Sequence, residues 1–211
     1  MIVTIVDYGM GNLRSVQKAF EWLGARAQVT GSPTAIRRAG RLVLPGVGAF
    51  GDAMRELRRR RLVEPLLARI YAGAPFLGLC LGLQLLFEAS EESPGVRGLG
   101  IMRGRVRRLP RPRPGDGSLK VPHIGWNQLR RSRDADGCPV LLGVPNGAFV
   151  YFVHSYYAAP ADRRLVVAWT TYGCRFPSVI WCENVAATQF HPEKSQQVGL
   201  TILKDYLRWA C

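Results

Sequence analysis

Three side chains in this sequence could act together on a carbonyl group: a thiol, an imidazole and a carboxylate. The thiol is Cys80, within Gly78-Leu79-Cys80-Leu81-Gly82. A nucleophile on a sharp strand-to-helix turn needs small neighbours two residues to either side, because a Cβ there would collide with the turn. A thiol at a helix N-terminus also faces unpaired backbone N–H groups and the positive end of the dipole, and both favour thiolate over thiol. On this pattern alone, a buried cysteine packed as a small hydrophobe is an equal reading. The imidazole and the carboxylate stand in His191-Pro192-Glu193. Residues i and i+2 of an extended stretch point the same way, so Glu193 can orient the ring while His191 activates Cys80. A fourth piece, Gly46-Val47-Gly48, could aim a backbone N–H at a developing oxyanion. A plain strand-to-helix turn would read the same.

Holding these pieces together requires an α/β frame. Ile2 to Val6 reads as a strand, followed by a helix capped by Asn12 with Leu13, Val16, Phe20 and Leu23 on its apolar face and Gly24 at its end. Ala25 to Val29 and Arg41 to Leu44 read as the next strands. This order implies a parallel, doubly wound sheet with ligands at the carboxyl ends of its strands. Asp52 to Tyr71 is basic and helical, with Pro65 starting a second helix. Pro75 to Leu79 reads as a buried strand and Leu81 to Glu88 as a helix, with Leu81, Leu85 and Glu88 at helical spacing. Arg107 to Gly117 reads as an exposed loop. From about Leu119 the pattern turns to strands: Phe149 to Val153, a hairpin of Arg164 to Thr170 and Ser178 to Cys182 joined through Gly173, and Val185 to Phe190. Ser195 then caps a final helix with Val198, Ile202, Leu203 and Leu207 on its apolar face.

At 211 residues, with 47% hydrophobic and 21% charged residues, the chain suits one soluble domain over 1–211. Its start reads as a strand rather than a basic leader, and the longest apolar run is too short to span a bilayer. Five cysteines without a Cys-x-x-Cys pair argue for a reduced, cytoplasmic protein without zinc or a disulfide framework. The glycines after the first strand do not fit a dinucleotide fingerprint. No metal or cofactor is expected. A net charge of +14 is compatible with nucleic acid, yet the arginines are scattered and not interleaved with exposed aromatics. The expectation is therefore no nucleic acid and no membrane.

Taken together, Gly78-Leu79-Cys80-Leu81-Gly82-Leu83-Gln84, Gln189-Phe190-His191-Pro192-Glu193 and Pro45-Gly46-Val47-Gly48 resemble the class I glutamine amidotransferases. Asp7-Tyr8-Gly9-Met10-Gly11-Asn12-Leu13, His123-Ile124-Gly125-Trp126-Asn127 and His191-Pro192-Glu193-Lys194-Ser195 are similar to the glutaminase subunits of imidazole glycerol phosphate synthases. The resemblance runs from Val3 to Tyr206. It implies a flavodoxin-like fold and a Cys80-His191-Glu193 triad that hydrolyses glutamine. It places the oxyanion between the N–H groups of Val47 and Leu81. It gives Gly46, Gly48, Gln84, Glu92, Ser155 and Tyr156 to glutamine binding. It also implies a heterodimer with a (β/α)8-barrel cyclase that takes up the ammonia, with Asn12 and Trp126 as candidates for the docking face. In the isolated chain the Val47 N–H is expected to point away from the site. Three other readings stay open: a subunit serving a different synthase, a stand-alone cysteine hydrolase, and a basic nucleic-acid-binding protein.

Overall fold

The computed structural model describes residues 1–110 and 119–210. Among them, the main sheet has eight strands. From edge to edge they are Arg26–Thr30, Ile2–Val6, Leu42–Gly46, Phe76–Cys80, Val185–Thr188, Cys174–Cys182, Val166–Tyr172 and Arg130–Arg131. The first five run parallel and the last three add on antiparallel. This is the mostly parallel, doubly wound frame expected from the strand and helix order. Its central strands are mostly apolar because both faces are covered, with Thr4 and Thr188 as buried polar exceptions. Val3, Ile5, Val43, Leu77 and Leu79 pack on one side, and Val6, Leu42, Leu44 and Phe76 on the other.

The helix Leu13–Trp22 buries Val16 and Phe20 and ends at Gly24, whose φ of +79° suits glycine. Phe50–Arg59 and Val63–Tyr71 are two helices, with Pro65 in the first turn of the second. The final helix, Gln196–Arg208, buries Ile202, Leu203 and Leu207 as its spacing predicts.

Several boundaries differ from the sequence expectation. The helix after Cys80 spans only Leu81–Gln84, not Leu81 to Glu88. Phe87–Ser90 instead forms a strand beside Met102–Arg108, which pairs on its other side with Tyr156–Pro160. Arg107 and Arg108 therefore belong to a strand and not to a loop; the rest of that stretch, from 111 on, lies outside the described residues. The hairpin turns at Gly173 but joins Val166–Tyr172 to a longer Cys174–Cys182, while Arg163–Leu165 is a single 3-10 turn. A separate antiparallel pair, His123–Gln128 with Phe149–His154, sets His123 opposite His154. No helix among the described residues is long and apolar enough to cross a membrane.

Candidate active site

Cys80 ends the central strand Phe76–Cys80 and precedes the first residue of the helix Leu81–Gln84. Its φ of +54° is a conformation that side-chain-bearing residues rarely hold, and it lifts the thiol out of the turn. The flanking glycines are needed for the reason the spacing suggests. A Cβ at Gly78 would stand 2.8 Å from the Gly82 carbonyl oxygen, and a Cβ at Gly82 would run into the Leu44 carbonyl of the neighbouring strand. Gly46, level with Cys80 in the sheet, is held in the same way by the Tyr8 hydroxyl and the Leu81 side chain.

His191 follows the last parallel strand. Its Nδ1 is 2.8 Å from Oε1 of Glu193, and both side chains are almost fully buried. The other carboxylate oxygen is buried with no hydrogen-bond partner among the described residues. Burial opposes charge on the imidazole, but hydrogen bonds to the Cys80 sulfur and to Glu193 outweigh it and raise the His191 pKa to about 10. The ring thus gains its preference for the charged form from the groups on either side of it. Ser195 occupies the N-cap position of the final helix, but its side chain makes no cap bond. Its hydroxyl instead donates to the His191 carbonyl at 2.6 Å and accepts from Tyr151 N at 3.0 Å, which fixes the backbone beneath the ring.

These groups meet in a cleft of about 250 Å³. Val47, Gly48, Cys80, Leu81, Gln84, Glu92, Ser155, Tyr156 and His191 line it. Glu193 stands behind His191, and Gly46 is buried and does not line the cleft. Glu92 also braces the scaffold, since its Oε2 accepts from Phe50 N at 2.7 Å and caps the helix Phe50–Arg59. Asn12 and Trp126 do not line the cleft. Trp126 is 45% exposed and lies on one face of its strand with Ile124, which is 59% exposed.

Residues without an assigned role from sequence also line the site, Pro122, Val153, His154 and Lys194, and others pack against it. Gln189, fully buried, presents Nε2 to the Cys80 sulfur at 3.8 Å, and its Oε1 accepts from Gln84 Nε2 at 3.3 Å. It stands just past the strand Val185–Thr188 and two residues before His191, and its place beside that histidine in the sequence is the signal that could have found it. His154 lines the cleft and belongs to a chain of fixed polarity. Its Nδ1 is 2.9 Å from the Tyr156 carbonyl, so it must donate there; its Nε2 then accepts from His123 Nδ1 at 3.0 Å. Burial pushes His123 down to about 4 and His154 to about 3, so both rings are neutral. The Tyr156 carbonyl also accepts from Gln84 Nε2 at 2.9 Å, which ties this chain to the wall of the cleft. Another is Tyr8. Its buried hydroxyl has no partner among the described residues, and burial and the nearby Cys80 sulfur push its pKa upward. No cluster of three or more metal-ligating side chains occurs among the described residues.

Comparison with known proteins agrees with this geometry. The family described as "Glutamine amidotransferase class-I" matches residues 4–208. "Imidazole glycerol phosphate synthase subunit HisH" of Syntrophotalea carbinolica is 54% identical, over 97% of this chain and 98% of its own. The protein of the same name from Geobacter sulfurreducens is 52% identical, over 97% of each chain. Among solved structures, PurLQS from Thermotoga maritima superposes with a TM-score of 0.72 at 18% identity, covering 98% of this chain and 97% of that one, a likeness of fold. A thiol at a glycine-flanked elbow, a buried imidazole–carboxylate pair beside it and kinship along nearly the whole length lead to one conclusion: the chain belongs to the class I glutamine amidotransferases, in the group of HisH subunits of imidazole glycerol phosphate synthase.

Proposed function

We propose that the protein hydrolyses glutamine and delivers the ammonia to a cyclase partner, which uses it to make imidazole glycerol phosphate and aminoimidazole carboxamide ribonucleotide in histidine biosynthesis. The observation that carries the reading is one cleft lined by both Cys80 and His191, with the Glu193 carboxylate buried 2.8 Å behind the imidazole.

The roles divide among these residues. The Cys80 thiolate attacks the side-chain amide carbon of glutamine. The oxygen that becomes negative is met by the N–H of Leu81, which opens the helix after Cys80, and by the N–H of Val47. One such donor is worth roughly 3–4 kcal/mol in the transition state. His191 gives its proton to the departing nitrogen, so ammonia leaves and a γ-glutamyl thioester remains. The now neutral ring takes a proton from water as that water attacks the thioester, and glutamate is released. Glu193 holds the imidazole and balances its charge throughout. Gly48, Gln84, Glu92, Ser155 and Tyr156 form the wall that holds the glutamine, with Gly46 setting the turn that presents Val47 and Gly48.

Ammonia in bulk water would become ammonium and lose its nucleophilic lone pair. A partner must therefore close over the cleft, and a (β/α)8-barrel cyclase bound one to one fits that need. Asn12 and the exposed Trp126 are our candidates for its docking face. The Val47 N–H turns toward the cleft only in that complex. The free thiols of Cys80, Cys138, Cys174 and Cys182 fit a reducing cytoplasm.

The test is glutamine hydrolysis by wild type and Cys80→Ala, each with and without the cyclase. The expected result is activity in wild type, raised by the cyclase, and none in Cys80→Ala. Activity retained by Cys80→Ala would end the mechanism. Full wild-type activity without any partner would favour a stand-alone cysteine hydrolase.

A further inference from the structure

A second cleft, of about 580 Å³, lies away from Cys80 and has no part in the chemistry above. Arg103, Arg105 and Arg107 stand at alternate positions of the strand Met102–Arg108 and so share one face, while Met102 and Val106 are buried on the other. Arg163, Arg175 and Trp169 complete the wall. The strand Tyr156–Pro160 separates the two clefts: Tyr156 lines the first, and Tyr157, Ala159 and Pro160 line the second.

The charges in this cleft are not balanced. Glu88 is its one acidic lining residue among the described residues, and its Oε2 accepts from Gly104 N at 2.9 Å. Arg107 approaches Glu91 at 3.6 Å, and the neighbouring Asp162 is taken by Arg164. Arg103, Arg105, Arg163 and Arg175 make no ion pair among the described residues, and Arg175 lies 4.5 Å over the Trp169 ring. Some surface arginines elsewhere are paired, Arg37 with Glu64, Arg55 with Asp52, and Arg59 and Arg60 with Glu56, and others such as Arg14 and Arg26 are not, among the described residues; what sets the cleft apart is that its arginines converge on one hollow. Five guanidinium groups around one hollow repel one another, and a dense anion between them would relieve that repulsion. Planar guanidinium forks match phosphate oxygens two at a time. The volume is that of a small-ligand site.

We propose that this cleft binds a polyphosphate chain, carried either by a nucleoside triphosphate or by an inorganic polyphosphate. The reading does not depend on the glutaminase assignment, since it uses none of those residues.

The experiment is isothermal titration of the full chain with sodium tripolyphosphate and, separately, with ATP, at fixed ionic strength. Wild type is compared with Arg103→Gln/Arg105→Gln and with a control, Arg14→Gln/Arg26→Gln, that removes the same charge elsewhere. Thermal unfolding of each variant checks that it is folded. Saturable one-to-one binding is expected, weakened about tenfold or more in the cleft variant and within about twofold of wild type in the control. Tighter binding of ATP, with quenching of Trp169 fluorescence, would identify a nucleotide; tripolyphosphate binding at least as tightly would identify the bare chain. No saturable binding below millimolar concentration, or equal weakening in the control, would overturn the proposal. So would single-stranded RNA binding more tightly than either probe through the same arginines.

Discussion

Replacing Glu193 by glutamine tests whether its charge, and not only its shape, serves His191. The side chain is buried and its Oε1 lies 2.8 Å from Nδ1. Glutamine keeps the size and an acceptor oxygen, so a neutral hydrogen bond replaces a charge-assisted one. The two differ by about 1–1.5 kcal/mol, which predicts a fall of roughly 5–12-fold in kcat. Glu193→Ala leaves the Nδ1 proton without a partner and forfeits the whole bond. The expected loss is about 1.5–3 kcal/mol, or roughly 10–150-fold. The order wild type, Gln, Ala is therefore fixed in advance. The assay is steady-state glutamine hydrolysis with the cyclase present and glutamine saturating, repeated from pH 6 to pH 10. Glu193 helps hold the His191 proton, so losing its charge lowers the imidazole pKa and moves the alkaline limb of the profile to lower pH. Glu193→Gln working at the wild-type rate with an unmoved limb would refute the reasoning. So would an alanine variant no slower than the glutamine one.

Three further outcomes follow from the same geometry. Gly82→Ala drives a Cβ into the Leu44 carbonyl, and chemical denaturation should show at least about 3 kcal/mol of lost stability or no soluble protein. Ser195→Ala removes a buried hydroxyl that serves His191 O and Tyr151 N; about 1–3 kcal/mol should be lost in the same measurement. The folded pKa of His191 lies above its ordinary value near 6.5, so its contribution to stability is complete below that value and is lost as pH climbs toward about 10. The melting-temperature gap between wild type and His191→Asn should accordingly be widest near pH 6 and close toward pH 10.

The site was legible where chemistry is written in local spacing. Gly78 and Gly82 announced a crowded turn. His191 and Glu193 do meet, but not through the extended stretch expected: Pro192–Lys194 is a single 3-10 turn, and that turn brings Glu193 back to the imidazole. What stayed hidden depends on partners distant in the chain. Leu85 and Glu88 keep helical spacing with Leu81, yet Phe87–Ser90 is drawn into a sheet by Met102–Arg108, and pairing overrides local periodicity. Ser195 has the residue type of a cap, but His191 O and Tyr151 N claim its hydroxyl first. The contacts of Gln189 with Cys80 and Gln84, and of His154 with His123, join segments that only the folded sheet brings together. Arg107 looked like a loop residue because a strand with one open face tolerates arginine at its outward positions, and Arg108 because it is exposed at the very end of that strand.

Where Gly82 meets the Leu44 carbonyl, and Gly46 meets Leu81, main chain lies against main chain or against the first carbon of a side chain. No rotamer there can swing aside to absorb a misfit. The thiol-bearing bend and the tip of the adjacent strand must therefore shift as a single rigid piece. Remodelling of this pocket for another amide is confined to its opposite rim, near Ser155 and Tyr156, while this seam has to be inherited whole.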